Sequence, residues 1–376
     1  MALNLINNNP IILHILYSGL GGHSAVLLSL LEAGFMNEAE HTILFVGVEE
    51  PTKDSINRCE NLKIKWDYLP KNNVINNFNF QFSIFRKLVL INPNILFIHG
   101  LAAIPAIILM KIFKPLFKPF ILIRETQANH LKTFKDWVLL IFANHIASIV
   151  VNLTNEAASE TIKKLSFLIV KKKIIVIPNG LDTTFYSPSS NKIKNKDVIQ
   201  IGMQSRLQPN KDHITLIKAF AQICKCIPEK QFHLNIAGHG ITYYEILGLI
   251  KQMGLSKSVT LYGTLGKFEL LNFLNNLDIY VHCTHGETMS NSIMQALSCG
   301  LPVIASNVSG VNNMINEESG ILYSPGDSED LANKILYLVK DPEIIEKLKI
   351  RARMYAINNY SISSTKLIYE NLLRID

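Results

Sequence analysis

The sequence has few of the features that mark secreted, disulfide-bonded or membrane-spanning proteins. Its 376 residues include only five cysteines, and their irregular spacing excludes a disulfide framework. No uncharged apolar run reaches the roughly 18 residues that a spanning helix needs. The first nine residues lack the basic start and apolar core of a signal peptide. We therefore expect a cytoplasmic protein, with at most a peripheral position at the inner face of the membrane.

Charge is also scarce, and its sign is uneven along the chain. Charged residues make up 18% of the sequence and the net charge is +7. Residues 101–175 hold 11 lysines and arginines against 4 aspartates and glutamates, which accounts for the whole excess. Such a stretch attracts an anionic membrane surface or a phosphorylated substrate, or it is a solvated surface without a partner. No recognised binding module accompanies it, so we expect no nucleic-acid partner.

Short apolar runs alternate with helical patterns along both halves of the chain. Runs of this kind are typical of strands buried on both faces of a parallel sheet, and the alternation indicates βαβ units. The predicted strands are 11–17, 42–48, 95–99, 120–124, 148–153 and 174–177, then 198–203, 232–237, 259–262, 278–284, 302–306 and 320–323. The predicted fold class is α/β, with two Rossmann-like domains.

The polar stretch 183–197 contains Ser-Pro-Ser-Ser and several lysines, which is typical of a linker. The chain then divides into an N-terminal domain, 1–182, and a C-terminal domain, 198–358. The last segment, 359–376, has a helical pattern and could pack back on the N-terminal domain. Ligands of open α/β sheets bind beyond the carboxyl ends of the strands, so a cleft between two facing domains is the expected active site.

The sequence Gly19-Leu20-Gly21-Gly22 follows the first predicted strand and precedes a helix. Glycine lets the backbone approach a ligand closely, and a helix N-terminus favours an anion. A tight turn explains the motif equally well, and its spacing departs from the dinucleotide fingerprint. A second candidate is the pair Arg206 and Lys211, on the loop after the first strand of the C-terminal domain. Two cations there would neutralise a diphosphate.

The strongest signal lies between residues 282 and 310, where a strand leads into Gly286-Glu287 and then into a helix. Thr288, Met289, Ser290 and Asn291 are predicted to open that helix, whose backbone N–H groups suit a phosphate. Glu287 can accept hydrogen bonds from sugar hydroxyls. Gln295 lies about two turns further along the same face and could bond a ribose hydroxyl.

Taken in order, these pieces resemble glycosyltransferase family 4, a retaining group with the GT-B fold. The resemblance covers nearly the whole chain. It rests on residues 19–22, 177–182, Arg206 with Lys211, Gly238, Gly286-Glu287, 300–303 and 320–327. It implies that a sugar passes from a nucleotide-sugar donor, with UDP as our expectation, to a glycan or lipid-linked acceptor of bacterial surface polysaccharide or lipopolysaccharide synthesis. It also implies a front-face displacement in which the leaving phosphate assists deprotonation of the acceptor.

The resemblance assigns roles to individual residues. Arg206 and Lys211 would hold the donor diphosphate, and Glu287 would contact the transferred sugar. Gly21 and Gly22 would close over the phosphates, and Gln295 stands where the family usually has a glutamate that bonds the ribose. Gly238 belongs to the same donor-binding set.

The acceptor side departs from the family pattern. Many members carry a histidine at the end of the strand at 120–124, whereas this chain has Arg124-Glu125-Thr126 there. Either Glu125 or Arg124 faces the cleft, or these residues cap the strand. His99 ends a neighbouring strand and could bond the acceptor or donor. His282 and His285 could be metal ligands, but pocket lining is the stronger interpretation because no third ligand stands at suitable spacing. With no Asp-x-Asp pair in the sequence, we expect no metal and no cofactor.

Two alternatives stay open. A GT-B nucleotide-sugar 2-epimerase would use the same donor site without an acceptor. A non-catalytic nucleotide-binding protein with a degenerate site is conceivable because Gln295 replaces the usual glutamate. An assay with donor alone distinguishes the epimerase from a transferase. The effect of Glu287→Ala on sugar transfer distinguishes a catalytic site from a degenerate one.

Overall fold

The computed structural model describes residues 9–19, 22–71, 77–189 and 197–374, and the chain forms two compact units. The first unit holds residues Met1–Gly180 together with Ile362–Asp376, and the second holds Leu181–Ser361. Every strand pair in both sheets is parallel. Each unit is therefore a Rossmann-like α/β domain, as the alternation of apolar runs and helical patterns predicts.

The first unit has a sheet of seven strands in the order β3-β2-β1-β4-β5-β6-β7. Its strands are β1 (Ile11–Tyr17), β2 (Glu40–Gly47), β3 (Lys65–Pro70), β4 (Ile95–His99), β5 (Phe120–Arg124), β6 (Ile149–Asn152) and β7 (Ile174–Val176). Its helices are α1 (Gly22–Glu32), α2 (Lys53–Asn61), α3 (Asn77–Ile91), α4 (Ile104–Phe113), α5 (Phe134–Ile146), α6 (Asn155–Leu165) and, from the end of the chain, α13 (Ile362–Arg374). Helices α3, α4 and α5 share one apolar core, and α1, α2 and α13 share another.

The second unit has a sheet of six strands in the order β10-β9-β8-β11-β12-β13. Its strands are β8 (Val198–Gln204), β9 (Gln231–Ala237), β10 (Val259–Leu261), β11 (Ile279–His282), β12 (Val303–Ser306) and β13 (Gly320–Tyr323). Its helices are α7 (His213–Cys226), α8 (Tyr243–Gln252), α9 (Lys267–Asn275), α10 (Asn291–Ser298), α11 (Ser328–Lys340) and α12 (Pro342–Tyr360).

Strand β3 is a correction to the sequence prediction, which contains no strand between residues 48 and 95. Among the described strands, Lys65–Pro70 pairs with β2 alone and ends the sheet, so its side chains are exposed or half-buried. Its sequence, KWDYLP, therefore lacks the continuous apolar run that identifies a central strand. In contrast, β4 is buried along its whole length and the predicted bounds are the observed ones.

The predicted linker is a second correction. Tyr186 is buried in the core of the second unit, where its carbonyl accepts hydrogen bonds from Ser298 Oγ at 2.5 Å and Arg353 Nη1 at 2.9 Å. Residues 181–189 thus belong to the second unit, while 190–196 lie outside the described residues.

The C-terminal helix α13 packs on the first unit, far from its neighbours in sequence. Glu370 Oε1 accepts a hydrogen bond of 3.0 Å from the backbone N–H of Met36, and Lys366 Nζ donates one of 3.1 Å to the carbonyl of Ala33. Within the part of the chain that the structure describes, none of the helices combines the length and apolarity needed to cross a bilayer.

Candidate functional site

The candidate site of the second unit lies at the carboxyl ends of β8 and β11, which are neighbours in the sheet. The loops that follow these strands are joined directly. The carbonyl of Asn210 accepts hydrogen bonds from the backbone N–H of His285 at 2.9 Å and from Thr284 Oγ1 at 3.0 Å. This junction brings the loop that carries Arg206 and Lys211 against the loop that carries Gly286-Glu287.

The carboxylate of Glu287 is the centre of this junction. Its Oε1 contacts the ammonium of Lys211 and lies 2.5 Å from Nε2 of His282. All three side chains are largely buried, with side-chain exposures of 14% for Glu287, 10% for Lys211 and 1% for His282. Both of these contacts are made by Oε1. One oxygen is thus fixed and the other can accept a hydrogen bond from a ligand hydroxyl.

These contacts set the charge of the carboxylate. Burial by itself would raise the pKa of Glu287, but the contacts with His282 and Lys211 bring it down to about 2. Burial also lowers the pKa of His282, against the raising effect of Glu287. The site therefore presents a carboxylate that stays ionised at any physiological pH.

Two glycines allow the loops to pack this closely. A Cβ on Gly238, whose φ is +142°, would meet the carbonyl oxygen of Ser205 at 1.8 Å. A Cβ on Gly310, whose φ is +77°, would meet the carbonyl oxygen of Glu287 at 1.8 Å. Gly238 therefore supports the Arg206 loop through packing, which is a structural reason for the glycine at that position.

Helix α10 begins later than the sequence predicts. The hydroxyl of Ser290 accepts the backbone N–H of Ile293 at 3.4 Å, which makes Ser290 the N-cap and Asn291 the first helical residue. Thr288 and Met289 consequently belong to the loop before the helix. The backbone N–H of Ser290 meets the sulfur of Met314 at 3.1 Å.

Several buried oxygens around this edge of the sheet have no hydrogen-bond partner. They belong to the side chains of Gln204, Thr242, Gln295 and Asn312. All four residues follow the carboxyl end of a strand, or end one, in the second unit. Buried acceptors without partners are costly in a folded protein, and a polar ligand that donates hydroxyl or N–H groups would satisfy them. The side chain of Arg206 is exposed on the same edge and pairs with no carboxylate of the described chain.

The first unit has a separate cavity of about 810 Å³, and both acceptor-side candidates line it. His99 ends β4 and Glu125 follows β5, so the parallel pairing places them side by side. Glu125 is 2% exposed, its Oε1 accepts the backbone N–H of Gln127 at 2.7 Å, and its Oε2 has no partner. Burial raises the pKa of Glu125, although Lys132, at 3.8 Å, acts to lower it.

Apolar residues from α3, α4 and α5 also line this cavity, among them Phe78, Pro105, Ile108, Leu109 and Leu139. Polar and charged residues of the same helices lie between them, including Gln81, Lys135 and Asp136. The cavity thus combines polar groups, among them His99 and Glu125, with apolar side chains.

Arg124 does not reach this cavity. Its buried guanidinium contacts Asn179, lies 3.3 Å from Nδ1 of His99 and rests against Tyr369 of α13. Arg124 therefore connects β5 to the C-terminal helix.

The glycine motif of the first unit is only partly visible. Leu20 and Gly21 lie outside the described residues, and Gly22 is the first residue of α1. A Cβ on Gly19 would meet the ring of Tyr17 at 2.4 Å. Nowhere in residues 9–19, 22–71, 77–189 or 197–374 do three His, Cys, Asp or Glu side chains converge as metal ligands would. His285 is exposed and lies 3.9 Å from Asp212, whereas His282 is buried against Glu287.

Sequence reasoning missed the contact of His282 with Glu287 and the unpartnered oxygens of Gln204, Thr242 and Asn312. One signal was present for His282, since it stands two residues after Tyr280 on a strand and so shares its face. The Tyr280 hydroxyl lies 3.5 Å from Nδ1 of His282 and donates to the carbonyl of Gln204 at 3.1 Å. The burial of the unpartnered oxygens of Thr242 and Asn312 has no counterpart in sequence spacing.

Residues 187–355 match the family model described as Glycosyl transferases group 1. The match covers the loops after β8 and β11 together with α10.

Two curated bacterial proteins are similar over most of the chain. A UDP-Gal:alpha-D-GlcNAc-diphosphoundecaprenol alpha-1,3-galactosyltransferase of Escherichia coli is 29% identical over 254 residues, which are 63% of this chain and 62% of that protein. The capsular polysaccharide biosynthesis glycosyltransferase CapM of Staphylococcus aureus is 26% identical over 272 residues, 66% of this chain and 67% of that protein. The chain thus spans somewhat less than two thirds of the Escherichia coli relative.

Solved structures extend the similarity to the whole fold. Anabaena Alr3699/HepE, in complex with UDP-glucose, superposes with a TM-score of 0.80 at 19% identity and covers 97% of this chain and 100% of its own. Staphylococcus aureus TarM superposes with a TM-score of 0.77 at 14% identity, over 98% of this chain and 99% of its own. At these identities the comparison concerns the fold class, which is α/β with two Rossmann-like units of the GT-B type.

Proposed function

We propose that the chain, whose residues 187–355 match the Glycosyl transferases group 1 family model, transfers a sugar from a UDP-sugar to a lipid-linked glycan. The observation that carries this proposal is the carboxylate of Glu287, held by Lys211 and His282 beside the start of α10. The cluster provides the positive charge of Lys211 and an ionised carboxylate that can accept hydrogen bonds, and buried oxygens without partners lie near it. The diphosphate of a nucleotide sugar would complement the positive charge, and its hydroxyl groups would donate hydrogen bonds to the oxygens.

In the proposed donor complex, Arg206 and Lys211 balance the charge of the diphosphate, together with the N-terminus of α10. Oε2 of Glu287 accepts a hydroxyl of the transferred sugar, and Gln295 accepts one from the ribose. UDP is favoured because the Escherichia coli relative is named for UDP-Gal and the Anabaena structure contains UDP-glucose. We propose that this charge balance needs no metal cofactor, so transfer should persist in EDTA.

We place the acceptor in the cavity of the first unit. His99 and Glu125 provide hydrogen-bonding groups, and the apolar side chains that also line the cavity, such as Ile108 and Leu109, suit the lipid part of an amphipathic acceptor. The name of the Escherichia coli relative specifies a diphosphoundecaprenol-linked sugar as its acceptor. A lipid-linked intermediate of bacterial surface polysaccharide synthesis, on the cytoplasmic side, is the proposed substrate class.

The proposed reaction retains the configuration of the anomeric carbon. The bond from that carbon to the β-phosphate oxygen breaks, and the acceptor oxygen forms a bond on the same face. The acceptor proton passes to the departing phosphate, whose negative charge is stabilised by Arg206 and Lys211. Proton NMR of the product from an α-linked donor tests this point, since an inverted product would exclude a retaining mechanism.

A thermal-shift screen of UDP-, GDP- and ADP-sugars tests the donor. A ligand that binds only the folded state raises the unfolding temperature by mass action. We expect stabilisation by UDP and at least one UDP-sugar. If none of the nucleotide sugars shifts the transition, the proposed donor site is wrong. If a UDP-sugar is converted to its 2-epimer without an acceptor, the transferase proposal is replaced by the epimerase alternative.

A further inference from the structure

The loop between β5 and α5, which borders the cavity of the first unit through Glu125, Thr126 and Gln127, contains a fully buried lysine. The side chain of Lys132 is 0% exposed. Its Nζ donates hydrogen bonds to the carbonyl of Gln127 at 2.6 Å and to Oδ1 of Asn129 at 2.8 Å. Lysine is almost never fully buried without a charge that balances its own. The surroundings of Lys132 should therefore contain a carboxylate.

That carboxylate belongs to Glu125. Nζ of Lys132 lies 3.8 Å from Oε1 of Glu125, whose side chain is 2% exposed. The same Oε1 accepts a hydrogen bond of 2.7 Å from the backbone N–H of Gln127. Among the residues that the structure describes, none forms a hydrogen bond with Oε2 of Glu125. One oxygen of this carboxylate is thus held by the loop, and the other is left for a ligand.

Lys132 opposes the effect of burial on the charge of Glu125. Burial raises the pKa of Glu125, the charge of Lys132 and the backbone N–H groups beside it lower this pKa, and Asp136 raises it. Burial lowers the pKa of Lys132, whereas the charges of Glu125, Asp136 and Glu160 raise it. Each member of the pair thus favours the charged form of the other. Without Lys132, Glu125 would take up a proton at a higher pH.

Further contacts fix the position of Lys132. Asn129, which accepts a hydrogen bond from Nζ, donates through Nδ2 to the carbonyl of Ala157 at 3.1 Å and to Oε2 of Glu160 at 2.8 Å, both in α6. The ammonium also lies 5.4 Å from the ring centre of Trp137 in α5. The lysine thus joins the loop to two helices, and a carboxylate supported in this way keeps one orientation.

Glu125 also lies on the wall of the cavity in which we place the acceptor. Other titratable groups near the pair or on the same wall are Tyr17, Lys71, His99, Lys135, Asp136 and Glu160. A sugar offers hydroxyl groups that can donate to Oε2, whereas the ionised phosphates and the lipid chain of an acceptor offer no donor. The unpartnered oxygen therefore favours the sugar part of the acceptor.

We propose that Lys132 is a positioning residue that holds Glu125 as a carboxylate, whose Oε2 accepts a hydrogen bond from a non-reacting hydroxyl of the acceptor sugar. The inference rests on the proposed function, because it takes the cavity to be the acceptor site. In the proposed reaction the reacting hydroxyl gives its proton to the departing phosphate, so Oε2 binds a second hydroxyl and orients the sugar. The loop after β5 then selects acceptors that carry this second hydroxyl.

The pH dependence of kcat/KM for the acceptor tests the role of Lys132. The probe substrates are UDP-galactose and N-acetylglucosaminyl diphosphoundecaprenol, which the name of the Escherichia coli relative gives for that protein. In the wild type, kcat/KM should fall as the pH drops through the pKa of Glu125, because protonation removes the charge that strengthens the hydrogen bond. Lys132→Met should move this fall upward by about one to three pH units, which is the effect of an opposite charge on a nearby carboxylate.

Three further variants control this comparison. Lys132→Arg keeps the charge and should give a profile close to that of the wild type. Lys132→Gln removes the charge but keeps an N–H donor for the carbonyl of Gln127, so it repeats the test with less disturbance of the loop. Lys163→Met removes an exposed lysine of α6, and its profile should be that of the wild type. A Lys132→Gln profile that coincides with the wild-type profile would overturn the proposal.

Acceptors that lack one hydroxyl test the contact of Glu125 with the sugar. The 4-deoxy and 6-deoxy forms of the same acceptor both keep the 3-hydroxyl, to which the relative's name assigns the transfer. The wild type should use one of them at least about 100-fold less well than the parent, because a site that bonds a hydroxyl rejects an analogue without it. Glu125→Ala should reduce this preference to less than about tenfold. Adding Lys132→Met to Glu125→Ala should cause no further loss, since the lysine acts through the carboxylate.

Equal discrimination by the wild type and Glu125→Ala would also overturn the proposal. UDP thermal shifts should be the same in all of these variants, which shows that each is folded and that its donor site is intact. If the wild type binds UDP but transfers no galactose, the proposed function is wrong for this pair of substrates. Equilibrium binding of the acceptor and its deoxy forms at several pH values then makes the same comparisons for Lys132 and Glu125 without catalysis.

Discussion

Lys211 and Glu287 are in direct contact although 76 positions separate them in the sequence. One follows β8 and the other follows β11, and these strands are neighbours only because the order of the second sheet departs from chain order. The contact uses Oε1 of Glu287, which His282 also approaches. The fold thus creates a nearly buried ion pair at the edge of the sheet where ligands of such folds bind.

Glu287→Gln should abolish most of the transfer while leaving nucleotide binding intact. The amide keeps the shape but removes the charge that balances Lys211, and breaking a buried pair costs about 3 kcal/mol of folding free energy. We expect kcat to fall at least about 100-fold, as for the loss of a group that acts on the transition state. Steady-state kinetics measure the fall in kcat, and UDP thermal shifts show whether nucleotide binding is intact. The control is Glu318→Gln, which changes an exposed residue of the same unit. If Glu287→Gln turned over as fast as the wild type, Glu287 would have no part in the mechanism.

Gln295 provides a test of ribose recognition. Its buried Oε1 has no partner, so a ribose hydroxyl can donate to it. Gln295→Glu should bind UDP about fivefold more tightly, because a hydrogen bond to a charged group is about 1 kcal/mol stronger than a neutral one. Gln295→Ala should bind more weakly. Calorimetry measures the affinity of each variant for UDP and for 2′,3′-dideoxy-UDP, which lacks the two ribose hydroxyls. The variants should differ in their affinity for UDP but not for the dideoxy compound. If their affinities for the dideoxy compound differ as much as those for UDP, Gln295 does not contact the ribose.

The sequence predicts where the central strands lie and which residues form the site. It does not predict which of those site residues contact one another. Continuous apolar runs identify β4 because both faces of that strand are buried. The edge strand β3 carries no such signal, since half of its environment is solvent. Glu287 and Lys211 stand out by residue type and by position after strands. Their contact depends on how Asn210 joins two loops, and no local pattern encodes that junction.

Gly238→Ala should destabilise the second unit. The added Cβ would meet the carbonyl of Ser205 at 1.8 Å, in a backbone conformation with φ of +142° that alanine rarely adopts. We expect a loss of about 2 to 4 kcal/mol in the free energy of unfolding, together with weaker UDP binding because the Arg206 loop must move. Gly248→Ala is the matched control: it lies in α8 with open space around it and should stabilise the helix by about 1 kcal/mol. Denaturant titration measures both, and equal stability of the two variants would contradict the packing role of Gly238.

Stability should fall as the pH drops from about 6.5 toward 4, because several buried histidines are neutral in the folded protein. Burial lowers the pKa of His213 to about 4, and it lowers the pKa of His14 well below its ordinary value, with the charge of His41 adding to the effect. Above pH 6.5 these groups are neutral in both states and cost nothing.

Below pH 6.5 the unfolded chain binds protons that the folded chain does not. The free energy of unfolding then declines by about 1.4 kcal/mol per pH unit for each group, until the pH reaches the folded-state pKa. His213 alone therefore accounts for roughly 3 kcal/mol between pH 6.5 and 4. Urea titrations at several pH values should show this slope, and His213→Gln, which keeps a group able to bond Ser205, should make it shallower. The exposed His285 supplies the control, since His285→Gln should leave the slope unchanged. A free energy of unfolding that is constant between pH 6.5 and 4.5 would show that these histidines gain their protons without cost to the fold.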